Sequence, residues 1–248
     1  MMKIIRKFLP YFDERPTGIK VKALVLHCSA HSAMEMINVL QERELSSHYV
    51  IDIDGTAFQL VSEKCRAWHA GQSKWRNMNM LNQYSIGIEL SSSTLGQKEY
   101  TPKQIKSLIT LSRQIIKHYQ IPATNVVAHS DIAPTRKPDP GLAFPWQKLA
   151  QKGIGTWYDL NNADKITEND VRTLLKIVGY DVADLSAASY AFCRHFVPEA
   201  VNIDNDVYHL VDNVYPKDFI LPEKYLPILK AVAYQYQKSS EINLISEE

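Results

Sequence analysis

The chain has 248 residues, of which 45% are hydrophobic, so it can bury a sizeable core in one large domain and a smaller second one. Its 28 Lys and Arg residues nearly balance 27 Asp and Glu residues, which gives no electrostatic support for a nucleic-acid partner. No apolar run approaches the roughly 18 residues that a membrane-spanning helix needs. We therefore expect a soluble protein without a transmembrane segment.

Cysteine content and the N-terminus bear on the compartment. The three cysteines lack the even number and paired spacing of a disulfide framework, so we expect free, mostly buried thiols and a reducing environment. The N-terminus is basic, but charge and Pro10 interrupt its apolar run before a signal-peptide core can form. The sequence predicts no export signal, which favours the cytoplasm.

Two strand patterns open the chain. Val21–Leu26 is a β-branched and aliphatic run that predicts a buried strand with His27 at its C-terminal end. Residues 48–61 alternate between apolar and polar around Asp54-Gly55, which predicts an antiparallel hairpin because Asp-Gly favours a tight turn between strands.

Strands and a helix alternate in the following segment. Short strands are predicted over residues 85–90 and 125–129, each delivering one polar residue after an apolar run. Between them, a helix begins with Thr101 as its cap and Pro102 as its first residue, and Gln104 completes a capping-box pattern. The helix extends to residue 119, with one apolar face that should pack on the sheet.

The pattern changes around residues 151–162, where glycine and asparagine become frequent. Beyond them we predict helices over residues 171–178 with Thr167 as the cap, and over residues 187–196, 206–214 and 222–236. The predicted fold class is α/β (α+β): a mixed central β-sheet covered by helices over residues 1–155, followed by a small all-α domain over residues 156–248.

The strongest group of chemically active residues lies between His129 and Gly141. Pro138 and Pro140 fix their own φ angles and restrict the residues before them to extended conformations. Lys137 and the aspartate at position 139 can therefore be held toward one point. Such a stiff loop suits a metal or anion site.

A catalytic zinc site uses three protein ligands and leaves one position open. His27, His129 and Asp139 can supply two imidazoles and one carboxylate. A single histidine is more often structural than metal-binding, so the prediction depends on the joint pattern.

Five ordered segments resemble one family, the N-acetylmuramoyl-L-alanine amidases of AmpD-like and AmiD-like type (type 2 amidases), which are relatives of phage-type amidases and animal peptidoglycan recognition proteins. The segments are Leu24–His27, Ser47–Ile51, Ala67–Gly71, Ser85–Glu89 and His129–Gly141. The resemblance covers about residues 20 to 150. It implies that zinc is bound by His27, His129 and Asp139, and that muropeptides are cleaved between the lactyl group of N-acetylmuramic acid, including its 1,6-anhydro form, and L-alanine.

The same resemblance places Glu89 and Lys137 near the reacting groups. Glu89 would take a proton from the attacking water and pass one to the leaving amine. Lys137 would stabilise the oxyanion of the tetrahedral intermediate. Taken singly, each residue is better explained as an ordinary exposed charge, because most charged residues are exposed.

Other residues in these segments have less defined roles. Trp68 and His69 recur in the family and could line a substrate groove, although a buried tryptophan is as compatible with the pattern. We expect His48 to be a hydrogen-bonded structural histidine and His31 to be incidental. Cys28 follows a ligand in a strand, so its side chain should point away from the metal.

Features outside the five segments favour the AmiD-like branch. Residues 72–82 resemble that branch, and residues 174–181 and 191–198 resemble its small helical peptidoglycan-binding domain. A helical packing module without a ligand is the alternative. As the resemblance has it, the AmiD-like branch accepts intact muropeptides and anhydromuropeptides, whereas the AmpD-like branch prefers the anhydro form. AmiD-like relatives are commonly envelope proteins, so an envelope location stays open beside the cytoplasm.

Three competing functions fit this pattern less well. A non-catalytic recognition module of the same family would lack a zinc ligand, and all three are present here. A peptidase of the zincin type would need a His-Glu-x-x-His helix, which the sequence lacks. A purely structural interaction protein would leave the stiff loop at Lys137–Gly141 unexplained.

Overall fold

The computed structural model describes residues 3–201 and 214–245, with side chains described through residue 239. The strands are β1 (Ile4–Arg6), β2 (Phe12–Glu14), β3 (Ala23–Ser29), β4 (Tyr49–Ile51), β5 (Ala57–Gln59), β6 (Cys65–Ala67), β7 (Lys74–Trp75), β8 (Met78–Asn79), β9 (Ser85–Ser91) and β10 (Val126–Ala128). The α-helices are α1 (Ala33–Glu42), α2 (Pro102–Tyr119), α3 (His129–Ile132), α4 (Trp146–Ala150), α5 (Val171–Val178), α6 (Leu185–Phe196) and α7 (Leu226–Ile245).

Six strands form the central sheet in the order β1-β5-β4-β9-β3-β10. Strands β10, β3, β9 and β4 are parallel, whereas β4 and β5 form an antiparallel hairpin around Asp54-Gly55. Strand β1 is parallel to β5. The mixed sheet and the hairpin are thus confirmed. Two small antiparallel pairs, β2 with β6 and β7 with β8, lie beside this sheet.

Strand β3 divides its side chains between two hydrophobic clusters. Leu24 and Leu26 pack in a cluster with α2 and α4, while Ala23 and Val25 pack in a cluster that includes α5, α6 and α7. Because alternate residues of a strand point to opposite faces, His27 lies on the face of Ala23 and Val25. The predicted architecture of a mixed sheet covered by helices is confirmed, and the division at residue 155 stays a prediction.

Helix α2 begins as predicted, but its capping box is only half formed. Thr101 Oγ1 accepts a hydrogen bond from the N–H of Gln104. The side chain of Gln104 does not return to Thr101; its Nε2 donates to the carbonyls of Ile51 and Ser91 at 3.1 and 2.8 Å. The capping-box prediction is therefore wrong, because the buried amide satisfies carbonyls of the sheet instead.

The C-terminal helices follow the predictions with shifted starts. The predicted cap at Thr167 is wrong: Asp170 caps α5, and its carboxylate accepts from the N–H of Thr173. Helix α6 begins at Leu185, and α7 begins at Leu226 after a short 3-10 turn. The predicted helix over residues 206–214 falls on residues outside the described ranges, apart from residue 214. Among the described helices, none is both long and apolar enough to cross a membrane.

Candidate active site

Strand β3 delivers His27 into the interior. It was predicted at the end of its strand, and β3 extends two residues further, to Ser29. In the parallel pair of β3 and β9, His27 lies in register with Glu89. Its side chain is 1% exposed, so the imidazole is shielded from bulk water.

His129 reaches the same place from the neighbouring strand. It was predicted to close strand β10, but the strand ends at Ala128 and His129 is the first residue of α3. The loop that follows turns back, because the N–H of Ser130 donates to the carbonyl of Asp139 at 3.0 Å. This bond brings the histidine and the aspartate of the motif together.

Three possible metal ligands converge in the site. The Nδ1 atoms of His27 and His129 are 2.9 Å apart, and Asp139 Oδ2 lies 3.3 and 3.1 Å from them. Ligands at the usual bond lengths of a tetrahedral zinc are separated by about 3.3 Å. The sequence-predicted trio is therefore brought together at nearly that spacing.

Hydrogen bonding on the far side of His129 supports its use as a ligand. Its Nε2 lies 3.3 Å from the carbonyl oxygen of Ala70, which can only accept a hydrogen bond. Nε2 can therefore donate to this carbonyl, and Nδ1 of His129 faces Asp139 and His27. Imidazole nitrogens and a carboxylate oxygen that face one point form a donor set that zinc uses, so the residues fit a metal ion.

The protonation states also suit a metal. Burial, with help from the charge of His129, lowers the pKa of His27 to about 4. Burial alone would raise the pKa of Asp139, but His129 and His27 hold it well below its usual range. A neutral imidazole and an ionised carboxylate are the forms that bind metals.

Glu89 stands beside the trio. Its Oε1 lies 3.9 Å from His27 Nδ1, and its side chain is 15% exposed. The other oxygen, Oε2, is buried without a hydrogen-bond partner among the residues that the structure describes. Burial, and then the charge of Asp139, raise the pKa of Glu89 to about 8, and Lys137 opposes this shift. The carboxyl group can therefore exchange a proton near neutral pH.

Lys137 lies near the three possible ligands, whereas Cys28 points away from them. Lys137 is half-buried in the loop after α3, and its positive charge lowers the pKa of both His27 and Glu89. The charge of Lys137 is therefore felt at the site that His27, His129 and Asp139 form. Cys28 points away, as predicted: it packs in the α2 cluster, and its Sγ donates to the carbonyl of Pro140 at 3.3 Å.

The remaining histidines of the family segments are tied to the protein. His48 Nδ1 accepts from the N–H of Gly87 at 3.0 Å, and burial lowers the pKa of His48 to about 3. The prediction of a structural histidine is confirmed. His69 has its two ring nitrogens near His27 and Ser85, at 2.9 and 3.2 Å.

Trp68 is half-buried, and its Nε1 donates to Asp13 Oδ2 at 2.7 Å. One edge of the indole is thus fixed by the protein. A substrate contact by Trp68 or His69 stays a prediction.

A buried aspartate that sequence reasoning missed supports the turn carrying His129. Asp131 is fully buried and accepts hydrogen bonds from the N–H of Ala128, from Tyr180 Oη and from His195 Nδ1, at 2.8, 2.8 and 2.7 Å. Two of these donors belong to the C-terminal region. The only local signal was an aspartate two residues after a predicted ligand.

Comparisons with known proteins agree with this geometry. The family model described as N-acetylmuramoyl-L-alanine amidase matches residues 17–142. The chain is 39% identical to N-acetylmuramoyl-L-alanine amidase AmiD of Escherichia coli strain K12 in an alignment 217 residues long, which covers 75% of this chain and 79% of AmiD. It is 42% identical to 1,6-anhydro-N-acetylmuramyl-L-alanine amidase AmpD of Salmonella typhimurium strain SL1344 in an alignment 164 residues long, which covers 56% of this chain and 84% of AmpD.

A solved structure of E. coli AmiD, in complex with the substrate anhydro-N-acetylmuramic acid-L-Ala-D-γ-Glu-L-Lys, superposes with a TM-score of 0.71 and 31% identity. The superposition covers 92% of this chain and 99% of that one, so it includes the C-terminal helices. The chain belongs to the N-acetylmuramoyl-L-alanine amidase family.

Proposed function

We propose that the protein uses zinc to hydrolyse the amide bond between the lactyl group of N-acetylmuramic acid, including its 1,6-anhydro form, and the L-alanine of peptidoglycan stem peptides, in cell-wall turnover. The observation that carries the proposal is the convergence of Nδ1 of His27, Nδ1 of His129 and Oδ2 of Asp139. Beside them lies a carboxyl oxygen of Glu89 that has no hydrogen-bond partner among the residues that the structure describes. Membership of the amidase family supplies the substrate class.

Zinc, when bound by the trio, would supply a Lewis acid that polarises the amide carbonyl and brings the pKa of water toward about 7. Two imidazoles and one carboxylate leave a net positive charge at the site, which is the condition for this effect. The positive charge would also lower the pKa of Glu89 and so favour its ionised form at the start of the reaction.

Glu89 would act as the general base and then as the general acid. Its buried Oε2 can accept the proton of the attacking water, because this oxygen has no hydrogen-bond partner among the described side chains. The same carboxyl group can then protonate the amine of L-alanine as the C–N bond breaks. Lys137 would donate a hydrogen bond to the carbonyl oxygen as that oxygen gains negative charge.

Substrate binding beyond the reacting bond is assigned to two features. The exposed part of Trp68 would contact the sugar, because an aromatic face suits the C–H groups of a pyranose. The C-terminal helices would contribute to binding the glycan, as in the helical domain that they resemble.

The test is the release of an L-Ala-led stem peptide from purified muropeptides by the zinc-loaded full chain, with and without a chelator, measured by mass spectrometry. The proposal predicts chelator-sensitive cleavage at the lactyl-amide bond. Comparison of anhydro and reducing-end substrates then gives the preference for the sugar form. Tight binding without cleavage would replace the proposal with a non-catalytic recognition module.

A further inference from the structure

A chain of hydrogen bonds leads from a backbone carbonyl to His27. Ser85 Oγ lies 2.6 Å from the carbonyl oxygen of Leu81 and 3.2 Å from His69 Nε2. His69 Nδ1 lies 2.9 Å from His27 Nε2. The four groups form an unbroken line that ends at the predicted metal site.

The donors and acceptors in this line can be assigned in only one consistent way. A carbonyl only accepts, so the hydroxyl of Ser85 donates to Leu81, and Ser85 Oγ is left to accept from His69 Nε2. A neutral imidazole has one donor and one acceptor nitrogen, so His69 Nδ1 is the acceptor when Nε2 donates to Ser85. His69 Nδ1 then accepts a hydrogen bond from His27 Nε2.

This assignment also determines the state of the other ring nitrogen of His27, Nδ1. With its proton on Nε2, His27 presents the lone pair of Nδ1, the atom that lies 2.9 Å from His129 Nδ1 and 3.3 Å from Asp139 Oδ2. The opposite tautomer would place a proton on Nδ1 and remove it as a ligand.

Strand β9 leaves space for the ring of His69 beside His27. Ser85, Gly87 and Glu89 alternate along one face of β9, so they lie in a row beside β3. A Cβ atom on Gly87 would lie 2.5 Å from the ring of His69, which excludes any larger residue while His69 holds this position. The ring of His69 meets that of His27 edge to face, with centroids 5.0 Å apart.

We propose that His69 and Ser85 are positioning residues that fix the orientation and the tautomer of His27, so that Nδ1 is always presented to zinc. This inference deepens the proposed function and rests on it, because it concerns the same metal site. It gives His69 a role inside the protein, distinct from the substrate contact predicted from the sequence.

The experiment measures two properties of the full-length protein: its zinc dissociation constant, by competition with a chromophoric chelator, and the histidine tautomers of the zinc-free protein, by long-range ¹H–¹⁵N NMR. The His27 signals are assigned by their loss in His27→Ala. Ser85→Ala and His69→Ala are expected to weaken zinc binding by roughly 10- to 100-fold, the usual effect of losing a group that supports a ligand. In Ser85→Ala, His27 should show a population protonated on Nδ1.

Two further variants separate positioning from general damage. His69→Asn keeps an oxygen able to accept from His27 Nε2 and should recover most of the zinc affinity that His69→Ala loses. Ser91→Ala is the matched control: Ser91 lies on the same face of β9, is 2% exposed, and its hydroxyl has no partner within the described part of the chain. It should keep the wild-type affinity and tautomers.

The outcomes distinguish this inference from the function on which it rests. A wild-type His27 protonated on Nδ1 overturns the inference, and so does Ser85→Ala with unchanged tautomer and zinc affinity. Failure of the wild-type protein to bind zinc would instead remove the proposed function. Because the tautomers are measured in zinc-free protein, they report on the hydrogen-bond line in either case.

Discussion

His27 and His129 reach one site from two differently supported regions. His27 lies within a buried strand, and the groups that hold it, His69 and Ser85, come from the same N-terminal part of the chain. His129 starts a single helical turn whose central aspartate, Asp131, is held by side chains 49 and 64 residues away.

The C-terminal region adds a further contact on the His129 side. Arg194 Nη1 donates to the carbonyl of Pro138, next to Asp139, at 3.1 Å. The ring of His195 stacks on Trp146, with centroids 3.8 Å apart. The short turn that carries His129 therefore depends on distant supports, whereas His27 in its central strand is held by neighbours in the sheet.

The largest effect is expected where the two regions meet. Asp139→Ala removes the carboxylate oxygen that lies within 3.3 Å of both histidines. Loss of a group that supports a metal ligand weakens metal binding by up to about 100-fold. Loss of Asp139, a proposed ligand, should weaken zinc binding by more than that, and amide hydrolysis should fall to background. Isothermal titration with zinc and the muropeptide assay measure the two effects. Unchanged hydrolysis would contradict the metal assignment, and the exposed Asp164→Ala serves as the control.

A substitution at Glu89 tests the His27 side of the site and leaves the three proposed ligands unchanged. Glu89→Gln removes the group that exchanges protons but keeps its shape, so kcat should fall about 10²- to 10⁴-fold while zinc stays bound. Metal content and steady-state kinetics, measured on the same preparation, check both statements. Exposed Glu99→Gln should leave kcat unchanged. A Glu89→Gln protein with normal kcat would exclude proton transfer by this residue.

A substitution at Lys137 tests the loop that follows α3 on the His129 side of the site. Lys137→Met should lower kcat about 10²- to 10³-fold, the usual effect of losing one donor to a developing oxyanion. Zinc affinity should not fall, because the lysine charge disfavours a cation beside His27. The same kinetic and titration measurements apply, with exposed Lys148→Met as the reference. A loss of zinc affinity as large as that of Asp139→Ala would contradict the assigned role.

The smallest effect is expected from the support of the turn. Tyr180→Phe removes a buried hydrogen bond to the Asp131 carboxylate and should lower the free energy of unfolding by about 1.5–3 kcal/mol. The tautomer of His27 should not change, because its supports lie elsewhere. Denaturant unfolding and the NMR measurement test the two statements. A shifted His27 tautomer would show that the two regions are not independently supported.

The convergence of the three proposed ligands could be predicted because they are close in the chain or follow a clear strand pattern. His129 and Asp139 lie in one proline-bounded loop, and His27 follows an unmistakable strand pattern. The parallel pairing of β3 with β9 and β10 then brings them together, and this pairing was predicted only as a mixed sheet. Helix α1 was missed, although its capping box of Ser32 and Glu35 was a usable signal.

Residues that support the site from other parts of the chain left no local pattern in the sequence. The role of His69 depends on the absent side chain of Gly87 and on Ser85, which are adjacent to it only after β9 is in place. Two partners of Asp131, Tyr180 just after α5 and His195 in α6, come from a region whose packing on the sheet could not be inferred from its amphipathic pattern. The capping box of Thr101 and Gln104 was predicted wrongly for a similar reason: buried carbonyls of the sheet decided where the Gln104 side chain bonds.

Anomalous diffraction at the zinc absorption edge, from crystals of the zinc-loaded protein, would show whether two Nδ1 atoms and one carboxylate oxygen hold a zinc ion. We expect one strong peak bonded to Nδ1 of His27, Nδ1 of His129 and Oδ2 of Asp139. A peak bonded to Nε2 of either histidine, or located away from these three residues, would contradict it.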